Sequence, residues 1–179
     1  VSDLAALASR ALQLAGEKNL SLITAESCTA GKLSALLSEA PGAADRLHGG
    51  FVTYIKENKI RALGVPEQLL AEQGAVCPAV AAAMAEGALA RSPADLAVSI
   101  TGVAGPDPDE DGNPVGRVCI ALARRGMTAQ QWEYNYGNPG REAVQERAMA
   151  DALNRLIAMM ETACSRDAGT TQNVLTGFS

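Results

Sequence analysis

The sequence predicts a single-domain α/β fold, on two observations of composition and one of pattern. At 179 residues and 47% hydrophobic, the chain has the size of one domain, long enough to bury roughly 70% of its unfolded surface in one core. Aromatic residues make up only 3% while Ala, Leu, Gly and Val dominate, which suits helices packed tightly on a sheet better than an aromatic-rich β-sandwich. Along the chain, the apolar period switches between helical spacing and short extended runs.

Leu4, Leu7, Ala8, Ala11, Leu12 and Ala15 recur at three- and four-residue intervals behind the N-cap signal Ser2-Asp3, predicting a helix that ends near Gly16 to Asn19. Ser21 to Ala25 is a short apolar run ending at Glu26-Ser27-Cys28-Thr29, after which Leu33, Leu36 and Leu37 resume helical spacing: strand, tight turn, helix. Ala40-Pro41-Gly42 closes that helix, and Gly49-Gly50 opens the extended run Phe51 to Ile55, followed by a polar stretch from Lys56 to Arg61. Pro66 and Pro78 each stand where a first helical residue would, so two further helices are expected. Leu96 to Ile100 reads as a buried central strand running into the glycine loop Thr101 to Pro106. Val115 to Ala123 and Gln130 to Tyr136 read as a hairpin through Arg124-Arg125-Gly126. A last helix starts near Gly140-Arg141, with Val144, Ala148, Ala152, Leu156 and Met160 on one face, and ends near Cys164. The domain is expected to span residues 1–164 and a polar, aperiodic tail residues 165–179. A homo-oligomer is expected, in which a neighbouring subunit could order that tail.

The net charge of -5 and the scattered Lys and Arg argue against nucleic-acid binding. No apolar run approaches the roughly 20 residues of a membrane span, and the N-terminus lacks the order of a signal peptide, so a cytoplasmic protein without membrane association is expected. The four cysteines are far apart and His48 is the single histidine, so no metal site is expected, and a Ser-His-Asp triad would have to use His48.

The turn at Ser27 places a serine between strand and helix, where free helix N-terminal N–H groups could form an oxyanion hole; alternatively, Ser27 or Thr29 only caps the helix. Gly31-Lys32 lacks the rest of a Walker loop, since Glu26 and Leu33 hold the positions of its first glycine and its Ser or Thr. Asp107, Asp109, Asp111 and Gly112 open like a calcium loop, but Val118 stands where the bidentate glutamate belongs, which leaves a solvated turn. Tyr54 and Lys59 come after a strand, and a buried lysine with Lys56 nearby can serve as a base; a solvated basic face of Lys56, Lys59 and Arg61 is the alternative. Gly102 and Gly105 could let the backbone approach a ligand, and Arg141 at a helix start could bind phosphate, although a turn glycine and a surface arginine are the ordinary explanations.

Taken together, Thr24 to Gly31, Gly50 to Tyr54 followed by Lys59, Leu63 to Pro66, Gly74 to Val76, Ile100 to Pro106 with Pro114 to Gly116, and Gly140-Arg141 make the chain similar to the C-terminal domain of the competence-damage-inducible CinA proteins, the family of nicotinamide mononucleotide amidohydrolases. The resemblance runs from about Leu4 to Met160. It implies a three-layer α/β/α sandwich on a mixed, mostly parallel sheet of about five or six strands, and hydrolysis of nicotinamide mononucleotide to nicotinate mononucleotide and ammonia. It implies no cofactor and no metal. Residue by residue, it implies Ser27 as nucleophile, Lys59 as base and Tyr54 as a polarising or proton-relaying hydroxyl, with Thr29, Thr101, Gly102, Gly105 and Arg141 lining the substrate site. The larger N-terminal domain of full CinA proteins is absent from the sequence, which implies the stand-alone form. Ala30 stands where the family usually has glycine, Ile55 to Asn58 where it has Ser-Asn-Glu-Ala, and Cys77 where a serine usually caps a helix. The rival functions are a non-catalytic nucleotide-binding or scaffold protein and an amidohydrolase of a different small amide.

Overall fold

The computed structural model describes residues 3–167, with side chains described through residue 162. Helix α1 (Leu4–Glu17) starts at Asp3, whose carboxylate accepts the Ala6 N–H at 3.1 Å. The short, wholly buried β1 (Leu22–Glu26) runs into the Ser27 turn and α2 (Lys32–Ser38). A single-turn helix α3 (Ala43–Arg46) comes next, and β2 (Leu47–Val52) starts directly behind it. Three helices, α4 (Lys56–Leu63), α5 (Glu67–Gln73) and α6 (Pro78–Ala90), lead to β3 (Leu96–Gly102). The antiparallel β4 (Arg117–Arg124) and β5 (Gln130–Asn135) precede α7 (Arg141–Asp167).

The five strands form one mixed sheet in the order β2-β1-β3-β4-β5. β1 is parallel to both neighbours, and the two antiparallel pairings beyond β3 leave β4 alone running against the other four strands. One face is large-featured: Leu96, Val98 and Ile100 of β3 and Val118, Ile120 and Leu122 of β4 pack under α1, α2 and α7. The other is small-featured, because the alternate positions Ala97, Ala121 and Ala123 meet the alanine-rich α6, with Leu63 and Leu70 of α4 and α5 beside it. The α/β/α sandwich expected from the resemblance is therefore the fold, and the small-featured face explains how a domain so poor in aromatics closes its core.

Several boundaries differ from expectation. Gly49 and Gly50 lie inside β2, and of the expected run Phe51 to Ile55 only Phe51 and Val52 are strand, because β2 begins at Leu47 and ends at Val52. The register skips one residue between Leu22↔Leu47 and Ile23↔Gly49, which makes His48 the extra residue of a bulge on this edge strand. The polar stretch after Lys56 is helix α4, and Pro66 is the N-cap of α5, not its first residue, whereas Pro78 does open α6. α7 continues to Asp167, so the expected tail starts inside a helix; its residues 168–179 lie outside the described residues. Among the described residues, no helix is long and apolar enough to cross a membrane.

Candidate active site

β1, β2 and β3 all end at the same edge of the sheet, and the segments leaving these three strands build the site, as expected at the carboxyl ends of parallel strands. β1 delivers Ser27, β2 delivers Thr53 and Tyr54, β3 delivers Thr101 and the loop to Gly105, and the start of α7 adds Arg141. Ser27, Tyr54, Thr101 to Gly105 and Arg141, together with Lys59 of α4 and Ala75 and Val76 before α6, line an open cavity of about 560 Å³, a size suited to a small molecule.

The Ser27 turn is held from behind by Glu26, whose side chain has no exposed surface. One of its carboxylate oxygens accepts the Thr29 hydroxyl at 2.7 Å and the Gly31 and Leu33 N–H groups at 3.0 and 3.1 Å. The other accepts the Ser34 N–H at 2.8 Å and the Thr24 hydroxyl at 3.1 Å. Gly31, the N-cap of α2, has no side chain with which to cap it, so the buried carboxylate takes over the orphan donors and complements the helix dipole. Two expectations change as a result. Neither Ser27 nor Thr29 is the cap, and the first N–H groups of α2 are already used and cannot form an oxyanion hole. Thr29 is fully buried with its hydroxyl on Glu26 and does not line the cavity, so its placement among the substrate-contacting residues is corrected to one bracing the turn.

On the cavity side, Lys59 Nζ lies 2.8 Å from Ser27 Oγ and donates to the Thr53 carbonyl oxygen at 2.7 Å. Lys59 is 1% exposed, so the solvated basic face does not form at this position. Burial, with a smaller push from Lys56, lowers its pKa from 10.5 to about 8 against an opposing influence of Cys28. Lys56 itself reaches away, to Glu110 at 2.9 Å and Asp111 at 2.7 Å, and these bonds hold its pKa above the usual value. Cys28 also lines the cavity, and desolvation pushes its thiol up to about 12, which keeps it protonated at neutral pH.

Tyr54 is 54% exposed, and its hydroxyl accepts from Arg141 Nη2 at 2.9 Å while Nη1 donates to the Gly105 carbonyl oxygen at 2.7 Å. Among the described residues, the remaining guanidinium N–H groups have no acceptor, and Arg141 lines the cavity where an anion could meet them. Thr101 lines the cavity, but its hydroxyl donates to the Ala75 carbonyl oxygen at 2.8 Å, fixing the Ala75 wall. Gly102 and Gly105 line it too. A Cβ at Gly102 would come within 2.7 Å of Val118 Cγ2, and one at Gly105, where φ is +92°, within 2.9 Å of Val115 Cγ1, so close packing inside the chain already favours glycine at both positions. His48 lies near the start of β1, roughly 15 Å of strand away from Ser27, so the arrangement contains no Ser-His pair. Asp109 receives the Asp111 and Asn113 N–H groups, as a solvated turn should, and no cluster of metal-ligand side chains occurs among the described residues.

Sequence reasoning missed the roles of Glu26 and Gln145. Glu26 left a trace, since an acid flanked by Thr24 and Thr29 ahead of a glycine N-cap is an acceptor among donors. Gln145, which bonds the Cys28 carbonyl from α7, left none across so long a separation in the chain.

Residues 4–160 match the CinA C-terminal domain family. A CinA-like protein of Synechococcus sp. (strain CC9902) is 44% identical over 151 residues, covering 84% of this chain and 36% of the relative. A CinA-like protein of Geobacter sulfurreducens is 42% identical over 147 residues, covering 82% and 35%. The chain thus spans little more than a third of the length of these curated relatives. Among solved structures, the competence/damage inducible protein CihA from Agrobacterium tumefaciens superposes with a TM-score of 0.85 at 38% identity, covering 89% of this chain and 96% of that one. A CinA superfamily protein from Klebsiella pneumoniae 700603 gives a TM-score of 0.86 at 32% identity, covering 90% and 99%.

Proposed function

The chain belongs to the CinA C-terminal domain family, and from that premise we propose that it is an amidohydrolase converting nicotinamide mononucleotide to nicotinate mononucleotide and ammonia. The observation that carries the chemistry is the buried Lys59 amine 2.8 Å from Ser27 Oγ. In its ammonium form Lys59 donates to the serine. Once neutral, its lone pair accepts the serine proton instead, and the alkoxide adds to the carboxamide carbon. The resulting ammonium returns its proton to the departing nitrogen, ammonia leaves, and an acyl-serine remains. Water, deprotonated by the same lysine, then cleaves the ester and regenerates Ser27. The Thr53 carbonyl keeps Nζ in place through this cycle by holding one of its hydrogens. Arg141, steadied by Gly105 and Tyr54, supplies the cationic group for the nucleotide's anionic end.

The test is purified protein incubated with nicotinamide mononucleotide, with ammonia and nicotinate mononucleotide measured in equal amounts. Neither product appearing, under conditions where the fold is intact, would reject the assignment and favour a non-catalytic nucleotide-binding role.

A further inference from the structure

The bonds from Lys56 to Glu110 and Asp111 have no place in the chemistry, yet they join two segments that line the cavity, the first turn of α4 and the loop after β3. Asp111 is not a loose partner. Its second carboxylate oxygen accepts the Ala75 N–H at 3.2 Å, and its own N–H donates to Asp109 Oδ1 at 3.1 Å. Asp109 in turn accepts the Asn113 N–H and Asn113 Nδ2, both at 2.7 Å. The part of the loop that meets Lys56 is therefore tied to itself and to the segment before α6.

These contacts close on themselves. Tyr54, Ile55 and Lys56 are consecutive, Lys56 Nζ donates to Asp111 at 2.7 Å, and the chain runs back from Asp111 to Gly105. The Gly105 carbonyl oxygen accepts Arg141 Nη1, and Arg141 Nη2 donates to the Tyr54 hydroxyl, which completes a ring. Tyr54, Lys56, Gly105, Glu110, Asp111 and Arg141 all line the cavity, and each is exposed or half-buried. Ser27, Lys59 and Thr101, which line the same cavity, are buried. Of the non-covalent links in the ring, the one made by Lys56 is the ion pair.

We propose that this ring is the entrance to Ser27 and that Lys56 is a specificity-determining residue, which holds the ring together against amides broader than a flat, carboxamide-bearing ring. This rests on Ser27 being the nucleophile. An ion pair between partly exposed side chains is weak and screened by salt, so the entrance yields without sealing: broad substrates are slowed and flat ones pass.

The test compares two reagents that react alike at a serine and differ in breadth, dimethyl and diisopropyl fluorophosphate. With either, Ser27 Oγ bonds to phosphorus, fluoride leaves and Lys59 takes the serine proton. Labelling is followed by intact mass at about pH 9, where most of Lys59 is neutral. The quantity read is the dimethyl rate divided by the diisopropyl rate, in which a change in the strength of the base cancels. Lys56→Met keeps a long side chain without its charge. Glu110→Gln combined with Asp111→Asn removes the charge from the other side and leaves an oxygen for the Ala75 N–H; where one variant fails to fold, the other decides. In either variant the ratio should fall about two- to fivefold, the range open to links of this strength. Sodium chloride at about 1 M should lower the ratio likewise in the parent and leave it unmoved in Lys56→Met. A ratio unchanged in the folded variants, or a salt effect that persists in Lys56→Met, overturns the proposal. A parent that labels at Ser27 but releases no ammonia from nicotinamide mononucleotide refutes that substrate while the ratio still decides this inference; a parent that takes no label overturns both.

Discussion

Replacing Lys59 by arginine separates a base from a mere positive charge. With a pKa of about 8, about a tenth of Lys59 is neutral at pH 7, roughly 300 times the fraction at its ordinary 10.5. kcat/KM for ammonia release should therefore climb about tenfold per pH unit up to a midpoint near 8 and then level off. A guanidinium stays protonated throughout, so Lys59→Arg should lose activity across the range despite keeping the charge. Lys56→Ala should move the midpoint up, since Lys56 lowers the pKa of Lys59, but by less than about one pH unit because Glu110 and Asp111 already offset that charge. Stability tracks the same proton. The folded pKa lies below the unfolded one, so between pH 8 and 10.5 the unfolded chain binds more protons and stability rises with pH by about 3 kcal/mol. Denaturant unfolding of the parent and of Lys59→Met at pH 7.5 and 10 checks this, because the variant should lack that rise. A folded Lys59→Arg with near-normal turnover, or a limb that survives in Lys59 variants and disappears in His48→Ala, would refute the reasoning.

Ser27→Ala should abolish ammonia release while costing no more than about 2 kcal/mol of stability, the loss of one bond to a charged donor, as read by urea unfolding. His48→Ala should keep most of the turnover, since His48 sits in an edge-strand bulge far from Ser27; an inactive but folded variant would revive histidine chemistry. Cys77 caps α6 with no side-chain bond, so Cys77→Ser should add about 1 kcal/mol and raise Tm by about 2–4 °C in a calorimetric scan.

The fold is legible in the sequence where apolar period and local geometry agree, as in α1, β1, β3 and α7. It is least legible around the chemistry. In α4 the two buried positions are Lys59 and Leu63, one helical turn apart, and an ionisable residue in a core position hides the stripe that would reveal the helix. The glycines of β2 look like punctuation in the sequence because only the register shows that they pair with β1. Ser27, Tyr54, Lys59, Thr101, Gly102, Gly105 and Arg141 do converge on one cavity. Thr29 does not, because a threonine beside a buried carboxylate looks the same in sequence as one beside a ligand.

The small-featured face of the sheet reaches further than the core it fills. Ser99 donates to the Ala81 carbonyl oxygen at 2.6 Å, and Thr101 to that of Ala75, so α6 and the segment before it are pinned to β3 at two heights. Ala75 and Val76, one wall of the cavity, therefore stand wherever the alanine packing beneath α6 puts them. Enlarging Ala81, Ala85 or Ala97 by even a methylene would lift that wall without touching the site. The width of this cavity is thus adjustable by volume deep inside the protein, and under the proposed amide hydrolysis selection for bulkier substrates should gather changes between α6 and β3 as readily as around Ser27.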